Sequence, residues 1–371
     1  MSAWGRDLAS GRGVCKIGRP LLDDDFAAAP RYATGGEGHL NRGPSISRSS
    51  ALQLWAIGMI APIVTILWNV FRGGLRSDWA IFWGAGRALL YSDVQPAKAI
   101  EFVYPPYALL FFAPFAPLTY AASYVLWNLL TAGFFLWAAL RYLPKDFPPL
   151  LAILTPGALM CMHFGQTALL VGGLWLLAFR GSWASVALLT FKPHLGVLSA
   201  LSLKSWSAVA KTVGLVLILV ALSTAVLGFD AWRDFANHLL SYKSQLMERR
   251  RWSFVGVTPG IAYGILGWLP FALAAGLILM RNVNAFTAAT AALLVAPYGF
   301  SYDMPTASLG IGLAIYAHWH ELGTVRRLGL MLGFLVPTLA GLGVWWMPPI
   351  LLWTLWVQVG LEERPKQAVT E

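Results

Sequence analysis

Uncharged stretches recur along most of the chain, separated by short polar connections, and their length predicts membrane-spanning helices. Residues 51–71 (ALQLWAIGMIAPIVTILWNVF) carry no charge, which is long enough to cross a bilayer core as a helix. Further apolar segments follow at about 119–140, 149–163, 167–180, 183–203, 208–227, 259–280, 284–299, 305–320, 327–346 and 348–361. The segment 183–203 is interrupted by Phe191-Lys192-Pro193-His194. Proline removes a helix hydrogen bond and the lysine is costly in hydrocarbon, so two half-spans joined by a turn are expected there. Counted so, the pattern predicts an all-α polytopic protein of about twelve transmembrane segments with both termini on one side.

The short connections place Arg141, Lys145, Arg180, Lys204, Arg281, Arg326 and Arg327 on the side of the N-terminal tail. Short basic loops mark the cytoplasm, so both termini are expected there. The opposite side receives the longer segments 72–118 and 228–258, which also hold many cations, among them Arg72, Arg76, Arg87, Lys98, Arg233, Lys243 and Arg249-Arg250-Arg251. A raw charge count is nearly a tie. Cations on a side where the rule disfavours them suit the binding of a phosphate.

Composition agrees with the pattern. The chain has 371 residues, is 57% hydrophobic and 12% charged, and has a mean hydropathy of +0.62. Soluble domains carry about twice that charge. The pI near 9.7 points to anionic lipid head groups rather than nucleic acid, because the basic residues are scattered among apolar spans. Cys15 and Cys161 are poorly placed to pair. Residues 1–48, with Asp23-Asp24-Asp25 among basic residues, read as a disordered cytoplasmic tail or partly as an over-long gene start. Residues 49–362 form a single membrane domain, and 363–371 a second cytoplasmic tail.

Candidate chemistry gathers on the predicted outer face. Ser77-Asp78-Trp79 opens a stretch with Phe82, Trp83 and Arg87 beside three small residues, which suits a helix lying in the interface. An acid at that depth can meet a lipid-borne substrate, although Asp78 equally suits a helix N-cap. Tyr104-Pro105-Pro106-Tyr107 sets an extended approach to the next apolar run, and a plain loop-to-helix junction explains it as well. His163-Phe164-Gly165-Gln166 and Phe191-Lys192-Pro193-His194 place polar groups at membrane depth, where such groups usually face a cavity. Lys192 snorkelling to the surface is the competing account. Its own segment has no acid, and the nearest in sequence, Asp146 and Asp230, fall on opposite sides, so a bound phosphate is the partner expected. Arg249 and Arg251 flank Arg250 in a run that also reads as a solvated basic stretch. Tyr302 and Asp303 close the late stretch Tyr298–Asp303, where Asp303 can also begin the next helix.

Other chemistries lack their motifs. There is no Gly-rich phosphate loop, no H-E-x-x-H, no zinc-type cysteine spacing and no G-x-S-x-G elbow. Asp78 and Asp303 could approach across a cavity, but that alone makes a weak metal site. No cofactor is called for, and the residues leave metal dependence open.

These residues resemble glycosyltransferase family 87, within the C-type fold of polytopic glycosyltransferases. The resemblance rests on D-x-x-x-F/W-x-A-G-R-A-L at Asp78 to Leu89, Y-P-P at Tyr104 to Pro106, H-F-G-Q at His163 to Gln166, F-K-P-H at Phe191 to His194, and P-Y-x-x-S-Y-D at Pro297 to Asp303. It covers about residues 50–320. The resemblance implies inverting transfer of a hexose, typically mannose, from a polyprenyl-phosphate sugar to a lipid or glycan acceptor outside the cytoplasm, in a bacterial inner membrane. It implies that Asp78 is the catalytic base. Trp83, Arg87, Tyr104, His163, Gln166, Lys192, His194, Arg249, Arg251, Tyr302 and Asp303 are then candidates for substrate binding.

The residues fit that chemistry. A carboxylate can take the acceptor proton as the new bond forms, and a fixed cation can stabilise the departing phosphate. Two further readings use the same residues: a transporter or flippase of a lipid-linked substrate, and a non-catalytic subunit of an envelope complex.

Overall fold

Apolar side chains cover both the interior and the outside of the helices. The computed structural model describes residues 52–53, 55–60, 63–64, 67, 78–90, 102, 104–237, 239 and 255–362. These form helices and turns, with one isolated antiparallel bridge between Gly256 and Phe300. Five helices among them are long and apolar enough to cross a membrane: Tyr120–Ala139, Trp206–Leu227, Pro259–Leu279, Thr324–Leu342 and Val344–Leu361. The predicted spans at 149–163, 167–180, 284–299 and 305–320 hold shorter helices, the span at 51–71 lies partly outside the described residues, and the structure bears out the all-helical membrane class.

In chain order, α1 is Trp79–Leu90, α2 Ala108–Phe112, α3 Tyr120–Ala139, α4 Pro156–Phe164, α5 Ala168–Ala178, α6 Trp183–Leu189 and α7 Pro193–Gly196. Then come α8 Trp206–Leu227, α9 Pro259–Leu279, α10 Ala285–Val295, α11 Pro305–His318, α12 Thr324–Leu339 and α13 Met347–Glu362. Sequence signals account for many starts. Thr119, Thr155, Ser182 and Ser205 cap α3, α4, α6 and α8 by accepting a backbone N–H on their side chains, and Asn284 forms a capping box on α10, each satisfying donors that the helix leaves open. Pro156, Pro259 and Pro305 lie in first turns, where no N–H is needed.

The helices α5, α10 and α11 form the centre, and nearly every residue of α10 and α11 is buried. By contrast α8 and α9 are largely bare, with Leu217, Ile218, Leu266 and Leu277 exposed. In water such faces would be a liability; in lipid they are the ordinary outer surface of a bundle.

Hydrogen bonds define two ends of the bundle. At one, Arg180 Nη1 reaches the carbonyl of Arg141 (3.5 Å), Tyr142 bonds to Leu176 O (2.8 Å), Trp175 to Ala285 O (2.7 Å) and Tyr316 to Asp146 O (3.2 Å). This basic end brings together the connections after α3, α5 and α11 and before α10. At the other, Val257 N–H donates to Gly299 O (3.0 Å) and Ser301 N–H to Val255 O (2.8 Å).

The broken segment is a re-entrant hairpin. The chain turns at Lys192, whose φ of −130° and ψ of 71° interrupt the helix, and continues through α7 and a 3-10 helix at Val197–Ser202. Thr212, in the second turn of α8, donates to the carbonyl of Trp183 at the start of α6 (3.1 Å). The hairpin therefore leaves at the end where it began.

One expectation is corrected. The aromatic residues of α1 were expected in the membrane interface, but Trp79 and Phe82 are 0% and 1% exposed. Trp79 stacks on Trp127 (5.1 Å, 22°) and Phe82 on Phe112 (4.7 Å, 26°). Aromatic pairs of this kind add about 0.5–1.5 kcal/mol each beyond area burial, enough to hold the helix against the protein.

A buried acid and a buried ammonium at the hairpin tip

Asp78 immediately precedes α1, and its position follows from the packing of Trp79. The Trp79 ring is fixed against Trp127, and its indole N–H donates to Ser123 Oγ (2.9 Å). This pins the N-terminus of α1 on α3. The Asp78 carboxylate there accepts a hydrogen bond from Gln166 Nε2 at 2.6 Å.

Gln166 is delivered by a tight turn. Helix α4 ends at Gly165 in the left-handed region (φ 63°), and a Cβ there would lie 2.7 Å from Trp79 Cβ. Only glycine meets both conditions. The Gln166 carbonyl accepts from Trp127 Nε1 (3.2 Å) and Cys161 Sγ (3.4 Å). The same Trp127 thus backs both Trp79 and Gln166.

The second charged pair sits at the tip of the hairpin. Lys192, 5% exposed, donates from Nζ to Asp303 Oδ1 at 2.5 Å, and the Asp303 side chain is completely buried. The other oxygen, Oδ2, accepts the N–H of Phe300 (3.0 Å). Asp303 therefore braces its own loop instead of starting α11, whose cap position is Met304. Lys192 also lies 5.7 Å over the Tyr302 ring. The sequence left Lys192 without a protein anion; the structure corrects this, because the fold brings Asp303 to it across 111 residues.

Tyr104 joins the two pairs. Its hydroxyl approaches Thr167 Oγ1 (3.5 Å), and its ring packs on Phe191 (5.0 Å) and Phe82 (5.3 Å). Burial raises the Tyr104 phenol above its ordinary value; Lys192 and the Thr167 hydrogen bond oppose this, while Asp303 and Asp78 add to it.

The remaining candidates stand around this core or apart from it. Trp83 donates to Leu118 O (3.1 Å), and the Arg87 guanidinium lies 5.0 Å over the Trp83 ring, a contact further along α1. His163 packs beside Phe164 (4.9 Å), and its carbonyl accepts from the Tyr124 hydroxyl (3.0 Å). The Tyr302 ring meets Phe164 (5.3 Å), which links the loop of Asp303 to the end of α4. The His194 ring lies 4.0 Å from that of Tyr298, with Nε2 buried and without a partner. Arg249 and Arg251 lie outside the described residues. No three His, Cys, Asp or Glu side chains converge on one point among the described residues.

Two participants were not anticipated. Thr167 and Trp127 carry no charge and look like ordinary span residues. Only the Tyr104 and Gln166 contacts give them a role.

Apolar helices around a buried acid and a buried ammonium define an integral membrane protein with a polar site inside its helical core. Residues 102–297 match glycosyltransferase family 87, and the chain belongs to that family. It is a membrane glycosyltransferase. The match includes Tyr104, His163, Gln166, Lys192 and His194, while Asp78, Tyr302 and Asp303 lie beyond its ends. Neither curated proteins nor solved structures gave a match.

Proposed function

We propose that this protein transfers a hexose, mannose in the first instance, from a polyprenyl-phosphate donor to a lipid or glycan acceptor, with inversion at the anomeric carbon. One observation supports this above the others: Gln166, which bonds to Asp78, is followed in the chain by Thr167, which meets the Tyr104 hydroxyl (3.5 Å), and the Tyr104 ring packs on Phe191 beside Lys192. A base on one side of the anomeric carbon and a cation on the other are what such a displacement needs. Asp78 takes the proton of the attacking hydroxyl, and the sugar–phosphate bond breaks on the opposite face. Lys192 meets the phosphate as it gains charge, stabilising the transition state more than the bound donor. The departing phosphate needs no proton, so one carboxylate suffices.

On this reading Asp303 keeps the ammonium charged and ordered until a donor arrives. Trp83, Arg87, His163, Gln166, His194 and Tyr302 contribute to the walls of the donor and acceptor sites, and Arg249 and Arg251 are further candidates for substrate binding. The basic end faces the cytoplasm together with both termini, and the site opens to the other side of a bacterial inner membrane. The short basic loops support this orientation.

The test is Asp78→Asn, which keeps the shape and the Gln166 contact but has no useful basicity. With polyprenyl-phosphate mannose and native membrane lipids, turnover should fall at least about a hundredfold while the protein still folds. Near-normal transfer by a well-expressed variant overturns the assignment.

A further inference from the structure

The orientation of the Gln166 amide is fixed by its partner. An ionised carboxylate only accepts hydrogen bonds, so the Gln166 amide must turn its nitrogen to Asp78. Its oxygen, Oε1, then points away, buried and without a partner. The residue is 5% exposed, so water does not readily satisfy it. An orphaned buried carbonyl is costly to leave unpaired.

The surroundings do not let the amide relax. The Gln166 backbone is held at both ends: its N–H donates to Cys161 O (3.0 Å), and its carbonyl accepts from Trp127 and Cys161. Gly165 fixes the turn before it. The side chain thus projects from a braced corner toward a carboxylate that is itself anchored through Trp79.

We infer that Gln166 is the positioning residue that aims Asp78, and that its amide oxygen accepts a hydrogen bond from a hydroxyl of the bound carbohydrate. The inference rests on Asp78 being the base. One arm of the amide holds the carboxylate toward the attacking hydroxyl. The other selects substrates with a donor group at that place, since a ligand lacking it leaves the carbonyl buried and unpaired. The hydroxyl belongs either to the transferred sugar or to the acceptor.

Other groups bear on the base. Tyr104 meets Thr167, the residue after Gln166 (3.5 Å), and its ring packs on Phe191 beside Lys192, which is paired with Asp303. Both charges stay in place in Gln166 variants, so a changed pH profile reports on the amide.

The experiment compares Gln166→Met and Gln166→Glu with wild type, using polyprenyl-phosphate mannose, its monodeoxy analogues and native membrane lipids. A hydrogen bond to the charged form lowers a carboxyl pKa, so its loss raises it. In Gln166→Met the acid limb of kcat/KM should move to higher pH, with kcat reduced about tenfold or more. In Gln166→Glu two carboxylates share a proton; the limb should rise by about one pH unit or more, and activity should recover toward alkaline pH. A merely structural role lowers the rate equally at every pH. If one monodeoxy donor is poor with wild type but no worse than the parent donor with Gln166→Met, the hydroxyl is on the sugar. If every donor suffers equally from the substitution, it is on the acceptor. Wild-type pH profiles in both variants, with Asp78→Asn inactive, overturn the inference and leave the base standing. An active Asp78→Asn overturns the base itself, and the inference with it.

Discussion

Lys192 and Asp303 form a salt bridge of 2.5 Å inside the helical core, with the ammonium at the tip of a re-entrant hairpin and the carboxylate in a loop 111 residues later. The carboxylate has no solvent exposure, and its second oxygen is committed to the Phe300 N–H. Neither charge can therefore be removed alone without leaving the other stranded.

Asp303→Asn should destabilise the protein by about 3–5 kcal/mol, the usual cost of breaking a buried pair from one side. Lys192→Met should do much the same. The double variant should lose less than the sum, because no charge is then left buried. Thermal unfolding in detergent checks this, and simple additivity would show that the two residues do not depend on each other.

Function separates the partners differently. With polyprenyl-phosphate mannose, Lys192→Met should lower both donor affinity and turnover, and Lys192→Arg should restore only part, since a planar fork replaces a point charge. The double variant should regain stability without regaining activity. Donor binding and transfer that are unchanged in Lys192→Met would show that the ammonium serves the fold alone.

Gly165→Ala should be costly far beyond the loss of one hydrogen atom. A left-handed conformation costs a side-chain residue roughly 1–2 kcal/mol, and the new methyl meets Trp79 Cβ. The displaced turn carries Gln166, so turnover should fall more than stability does. Circular dichroism and a transfer assay measured together separate the two effects; normal turnover would show that the turn tolerates movement.

Side-specific labelling tests the two ends. Lys145 is exposed at the basic end, and Gly341, with open space around it, lies beyond α12. In intact cells an impermeant thiol reagent should reach Gly341→Cys and spare Lys145→Cys. Labelling of both from the same side would refute the orientation.

The sequence made several of these features legible for physical reasons. Apolar runs predicted α3, α8 and α9 almost to the residue, because a lipid-facing helix must be apolar along its whole length. The hairpin was readable at Lys192-Pro193, where a charge and a missing N–H coincide. The site residues appeared as polar groups in apolar surroundings, which is how Gln166 and Lys192 stood out. Their pairings did not. Asp78 with Gln166 and Lys192 with Asp303 depend on how distant helices cross, and no local pattern encodes that. Trp79 misled for a related reason: an aromatic near a span end suits an interface and a core equally, and only Trp127 decides between them.

The separation of Lys192 from Asp303 also bears on how the chain is made. At about 5–20 residues per second, the separation of 111 positions takes roughly 6–22 s to synthesise. Throughout that interval the hairpin has emerged but its carboxylate does not yet exist. The ammonium must wait in an aqueous pore, among lipid head groups or on an assembly factor. The first half of this protein cannot close its own interior, and the final packing of its centre awaits the arrival of the loop before α11.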